Sequence, residues 1–364
     1  MCEAERPLIG CTASPIDTQG AQQSVGSRTD PVNEISKECR ICGSVGPHKT
    51  ISVREMMFGT QEHFEYYFCG SCETLQIVNV LEGAELQRHY AVDYYSYKPS
   101  HARFSRWLIT QHDRKKLGVG GGFAGALLTR RLPDGILRAL LGGDVVGILA
   151  QLQLKSDARI LDVGCGSGAL LDRLARVGFT NLFGADPFIA ADRETPRGVP
   201  LKKGHLSEMP GEFDLIMFNH SLEHVPDPIA ALKTASEKLA ADGICLARTP
   251  TTSSEAWNTY LADWVQIDAP RHFVVPSRRA MALAAEKAGL VVEQTFDDSN
   301  LGQFMGSEAY RRGVAVTDTK ILRLFSPKQI WEWEKSADRL NRLGRGDQAG
   351  FVMRAQQGRR VADS

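Results

Sequence analysis

The sequence predicts an α/β protein: a mostly parallel sheet covered by helices, with a small cysteine module ahead of it and an extension behind it. Three observations carry this. From residue 158 to 295, short apolar runs alternate with stretches of helical spacing, the pattern of a parallel sheet buried on both faces. The run at 160–163 leads straight into a loop with glycine at positions 164, 166 and 168. Two C-x-x-C pairs, Cys39 with Cys42 and Cys69 with Cys72, stand well ahead of that region.

Composition narrows the class. The chain has 364 residues, enough for one large domain with appendages or for two domains. Its 43 basic and 43 acidic residues cancel, which does not suit a nucleic-acid coat or a binder of acidic membranes. No uncharged apolar run reaches the roughly 18 residues of a membrane helix. The nearest, residues 117–129, is rich in glycine and is closed by Arg130 and Arg131. The first ten residues hold charges and a proline rather than a hydrophobic signal core. A cytoplasmic protein with no membrane span is the expectation.

The elements follow in order. Residues 1–35 are rich in Ser, Thr, Gln, Gly and Pro and read as a disordered tail. Residues 36–95 form the cysteine module, with a strand near 64–68 between the pairs. Residues 96–157 read as a helical linker or lid. The core, 158–295, has strand candidates at 160–163, 182–185, 215–218, 244–247 and 290–294. Its helix candidates are 169–177, 229–240 and 277–288, and the first carries Leu170, Leu171, Leu174 and Val177 on one face. Residues 296–364 extend the core, with an amphipathic stretch at 327–343 and a strand candidate at 351–353.

The glycine loop carries the chemistry. Bare backbone at Gly164, Gly166 and Gly168 lets a ligand lie against the main chain, and strand, glycine turn and helix open a nucleotide-binding unit. Asp162 precedes the loop. Asp186 follows the second strand, where a carboxylate can accept both hydroxyls of a ribose. Gly164, Gly166 and Ala169 also fit the dinucleotide pattern, so an NAD enzyme competes on the glycines alone. Downstream, residues 213–228 read as strand, loop and helix start.

Together, D-x-G-x-G-x-G, the acid at 186 and that downstream loop resemble the class I S-adenosylmethionine-dependent methyltransferases over residues 158–295. The resemblance implies a Rossmann-like, seven-stranded sheet. It puts Asp162, Gly164, Gly166, Gly168 and Asp186 at the cofactor and Asn219 in the loop beside it. The usual acid after the third strand is missing from 204–208, so His205 or backbone groups are expected at the adenine.

His220-Ser-Leu-Glu223-His224 matches the reversed zinc-protease motif H-x-x-E-H. That motif needs a continuous helix, which Pro226 and Pro228 forbid here. Some ubiquinone-pathway O-methyltransferases carry E-x-x-E-H at this place and bind a divalent cation, but His220 replaces the first Glu. Two roles remain: His224 as a base with Glu223 holding its ring, or a loop cap that binds backbone. His272 is the other candidate base, and Arg271 could bind an anionic substrate group or serve in a polar hinge.

The four cysteines fit a closed, structural zinc site in a ribbon-like module. The tyrosine-rich run that follows, Tyr90, Tyr94, Tyr95 and Tyr97, suits a sugar or nucleotide or interdomain packing. Zinc module, methyltransferase core and C-terminal extension, with 307–310 and 346–348, resemble bacterial methyltransferases of sugar and polysaccharide biosynthesis. The expected function is therefore methyl transfer from S-adenosylmethionine to a small molecule, by preference a nucleotide-linked sugar or glycan precursor. A quinone or phenol O-methyltransferase is the alternative enzyme. A non-catalytic cofactor-fold binding protein is the alternative of another class, and nucleic acid is not an expected partner.

Overall fold

A computed structural model describes residues 33–90, 103–118 and 145–356. The predicted tail before residue 33, the tyrosines at 94, 95 and 97 and the glycine stretch from 119 lie outside them.

Among the described residues the larger sheet has eight strands: β5 (Ile160–Val163), β6 (Leu182–Ala185), β7 (Arg193–Glu194), β8 (Pro200–Lys202), β9 (Phe213–Asn219), β10 (Leu239–Pro250), β12 (Leu290–Asp297) and β13 (Gln348–Ala355). Their order is β12-β13-β10-β9-β5-β6-β8-β7. β5 pairs in parallel with β6 and β9, β10 with β9, and β6 with β8. β13 runs antiparallel to both β10 and β12. The eighth strand, beyond the expected seven, is the two-residue β7 at the edge, antiparallel to β8. Ile160, Leu161, Leu215, Ile216 and Met217 are all buried, as expected where both faces of a parallel sheet are covered.

The helix expected at 229–240 ends at Lys238. The chain becomes strand at Leu239, which pairs with Phe213 before the register shifts ahead of Ile244. Short helices at Glu255–Tyr260 and Gly302–Arg311 fall outside the predicted helices; the first is too brief to show a clear period. No helix among the described residues is long and apolar enough to cross a membrane.

The cysteines sit on a second sheet of five strands: β1 (Glu34–Ile35), β2 (His48–Arg54), β3 (His63–Phe68), β4 (Leu75–Ile77) and β11 (Val274–Val275). β11 lies beyond the glycine loop and Asp186 in sequence and pairs antiparallel with β4. One apolar core joins both regions, with Tyr66, Leu75 and Ile77 packed in the same cluster as Phe218, Phe273 and Val275.

Candidate active site

The glycine loop is held tightly. Gly164, Gly166 and Gly168 take φ of +76°, +51° and +76°, a region other residues enter only at a cost. A Cβ on Gly164 would lie 2.5 Å from Ser221 Cβ, and one on Gly168 would lie 2.7 Å from both Leu201 and Thr195. The turn after β9 and the β7–β8 hairpin thus press on the loop. Gly168 caps the helix Ala169–Val177.

Asp186 is tied to the protein's own main chain. Its carboxylate accepts from Gly166 N at 2.8 Å and Phe188 N at 2.7 Å. Arg193, on the extra edge strand, donates to Gly166 O at 2.9 Å. Sequence reading missed Arg193, because nothing local marks a two-residue strand. Asp162 is buried beneath the loop. Burial, and then the nearby Asp186 charge, push its carboxyl up to about 8, with Arg248 pulling the other way.

An open cleft with about 730 Å³ of empty space lies over this loop. Gly164, Gly166 and Asp186 form its floor, and His205, His220, His224, Tyr90 and Phe188 contribute to its walls. His205 therefore does reach the cleft, while its backbone N–H donates to Glu208 at 3.0 Å. Asn219 is not among the lining residues; its side-chain oxygen accepts from Arg248. The neighbouring His220 lines the cleft instead, at a φ of +55°.

Glu223, His224 and His272 come together. The His224 and His272 rings meet edge to face with centroids 4.6 Å apart. Glu223 is fully buried; Oε1 lies 3.5 Å from His220 Nδ1 and 4.0 Å from His272 Nε2. Burial pushes the Glu223 carboxyl up, but His220 beside it and the charges of His272 and His224 outweigh that and hold it at about 2. Burial, and then His272, drive the His224 imidazole down to about 4. His224 Nδ1 faces the Arg271 carbonyl at 2.9 Å and the Tyr90 hydroxyl at 3.1 Å. A carbonyl only accepts, so Nδ1 carries the proton and Nε2 is the basic nitrogen. His272 Nδ1 is set in the same way by Gln266 O at 2.7 Å. Ligand atoms of Glu223, His224 and His272 all lie within 4.8 Å of one another, close enough to share a cation.

Arg271 is not placed to bind substrate. It is fully buried, with Asp268 at 2.6 Å, Glu55 at 2.9 Å and His89 O at 3.0 Å. The hinge role is the one the geometry fills, tying the cysteine region to the loop that carries His272.

The four cysteine sulfurs lie within 4.8 Å of one another, with Cys39–Cys72 at 3.5 Å and Cys42–Cys69 at 3.6 Å. Tetrahedral zinc with Zn–S near 2.3 Å would set sulfurs about 3.8 Å apart, so the donor set fits that ion. Both knuckles turn through a left-handed residue: Gly43 (φ +79°) in the first, and Glu73 (φ +61°), a non-glycine, in the second.

Residues 128–295 match a family described as a methyltransferase domain. Over those residues the chain is similar to a methyltransferase domain. Its curated relatives include the ubiquinone biosynthesis O-methyltransferase of Proteus mirabilis, 31% identical over 27% of this chain and 44% of that protein. The enzyme of the same name from Aeromonas salmonicida is 30% identical over 37% of this chain and 63% of its own length. The chain thus spans roughly half the length of these relatives. A cyclopropane synthase structure from Mycobacterium tuberculosis is 18% identical with a TM-score of 0.41, covering 61% of this chain and 87% of that one; a likeness so slight supports no argument about function.

Proposed function

We propose that this methyltransferase domain moves a methyl group from S-adenosylmethionine to a hydroxyl of a small, largely apolar acceptor, with a phenol as first choice. The observation that carries the reading is one cleft that joins the glycine loop and Asp186 to a neutral imidazole, His224. Asp186 and the loop amides would hold the ribose and the backbone-facing parts of the donor, and His205 would lie on the adenine side.

Bound S-adenosylmethionine supplies a sulfonium methyl ready for in-line displacement. The protein's part is alignment and proton removal. Arg271 O fixes the His224 tautomer, so Nε2 takes the hydroxyl proton as the new O–C bond forms. Glu223 would stabilise the imidazolium that results. His272, set by Gln266 O, supports the pair.

The wall residues favour the phenol. Tyr90 and Phe188 stack with centroids 5.5 Å apart, and Leu206, Phe218 and Val225 add apolar surface. Among the described lining residues there is no Lys or Arg, whereas a nucleotide-linked sugar would bring a diphosphate in need of cations. The relatives' names agree with an oxygen acceptor on a quinone precursor. The sugar therefore ranks second. A divalent cation shared by Glu223, His224 and His272 is the competing use of those side chains, and stimulation of turnover by added Mg²⁺ or Zn²⁺ would favour it.

We assign the four thiolates to structural zinc. All four positions are cysteine, so no coordination site is left for substrate. Incubating the purified protein with labelled S-adenosylmethionine and panels of phenols and nucleotide sugars tests the whole reading. Label is expected on a phenol. Tight donor binding with transfer to neither panel would favour a non-catalytic binding protein.

A further inference from the structure

We propose that Tyr66 is a positioning residue for His272, through which the cysteine sheet sets the geometry of the proton-accepting cluster. The inference rests on the acid–base reading above and names a residue outside the cleft.

Tyr66 lies on β3, wholly buried, and is not among the residues lining the cleft. Its hydroxyl donates to the His272 carbonyl at 2.9 Å. The next peptide is gripped from two sides. Ile77 N donates to Phe273 O at 2.9 Å, and Phe273 N donates to Glu223 O at 2.7 Å. Val274 and Val275 then pair with Gln76 and Leu75. The backbone carrying His272 is therefore held on one side by the cysteine sheet and on the other by the main chain of Glu223.

That sheet is tied to its cysteine knuckles at the same end. Ser277 Oγ donates to Cys72 O at 2.6 Å and Thr252 Oγ1 to Glu73 O at 2.6 Å. Lys287 Nζ donates to Ile41 O at 2.7 Å beside the first pair. Each bond crosses from the cysteine region to the segment 252–287. A shift of the knuckles would be carried through β4 and Tyr66 to His272, and a misplacement on the ångström scale is costly to catalysis. The glycine loop and Asp186 have no place in this chain of bonds, so donor binding is separable from it.

Tyr66→Phe removes only the hydroxyl and keeps the ring in the core. The expected result is a kcat lower by about tenfold, with S-adenosylmethionine affinity by calorimetry within about twofold of wild type. The His272 resonance in a histidine-labelled NMR spectrum should move, while that of His205 stays. Unchanged kcat with an unmoved His272 resonance would overturn the proposal. Should the variant fold poorly, hydrogen exchange of the wild-type protein with and without a thiol-metal chelator decides. Faster exchange at residues 272–275 with residues 160–168 unaffected supports the link; equal exchange in both segments refutes it. If wild-type protein binds no S-adenosylmethionine, the functional reading falls, and the resonance shift still judges the positioning role.

Discussion

The two walls of the cleft are built in opposite ways. The wall proposed for the donor comes from one short stretch: strand, three glycines, helix, and an acid 24 residues beyond Asp162. The wall proposed for the acceptor is assembled from residues far apart in sequence, with Tyr90 and His224 lining it and the carbonyl of the buried Arg271 behind them, joined through bonds that span 134 and 47 positions. A local wall is fixed by backbone geometry and tolerates little change in its own loop. A composite wall depends on whatever holds its pieces together, here the ion pairs of Arg271 and the β4–β11 ladder.

Several changes break or sharpen this contrast. Arg271→Ala would leave Glu55 and Asp268 buried without their partner, so unfolding should ease by roughly 3–5 kcal/mol, read by denaturant titration. A change in substrate affinity with full stability would instead restore Arg271 as an anion binder. His224→Ala should lower kcat by about 10²–10³-fold and leave donor affinity unchanged in calorimetry. Asp186→Ala should do the reverse, weakening S-adenosylmethionine binding by about 30- to 100-fold through the lost charged hydrogen bonds.

The pH profile separates the walls again. The His224 pKa is lowered in the folded protein to about 4, from 6.5. The neutral, basic form therefore persists well below pH 6.5, and the acid limb of kcat due to this residue should fall near pH 4. The stability linked to it is present above pH 6.5 and is lost as pH drops toward 4. An acid limb at 6.5 would mean that another histidine is the base. The smallest effect concerns the metal knot: Glu73→Gly relieves a left-handed residue and should raise stability by about 1 kcal/mol, while Cys39→Ser and Cys72→Ser should each abolish binding of about one zinc per chain.

The same contrast explains what the sequence disclosed. The central strands, the glycine loop and the cysteine pairs were legible because each is encoded by neighbours: apolar runs, obligatory positive φ, or ligand spacing. The gathering of Glu223, His224 and His272 could only be suspected, since two loops must meet. The two roles of Arg271 stayed open because an arginine beside a histidine reads the same whether it faces solvent or two buried carboxylates. Asn219 misled by one position, because the turn at His220 puts the histidine, rather than the asparagine, on the cleft. β11 and β7 escaped because two residues have no period, yet one anchors His272 and the other brings Arg193 to the glycine loop.

The most direct test of the account is calorimetric titration of the full chain with S-adenosylmethionine and, separately, with NAD. One site for S-adenosylmethionine, weakened by Asp186→Ala and indifferent to His224→Ala, is the result expected. Binding of NAD with none of S-adenosylmethionine would contradict it.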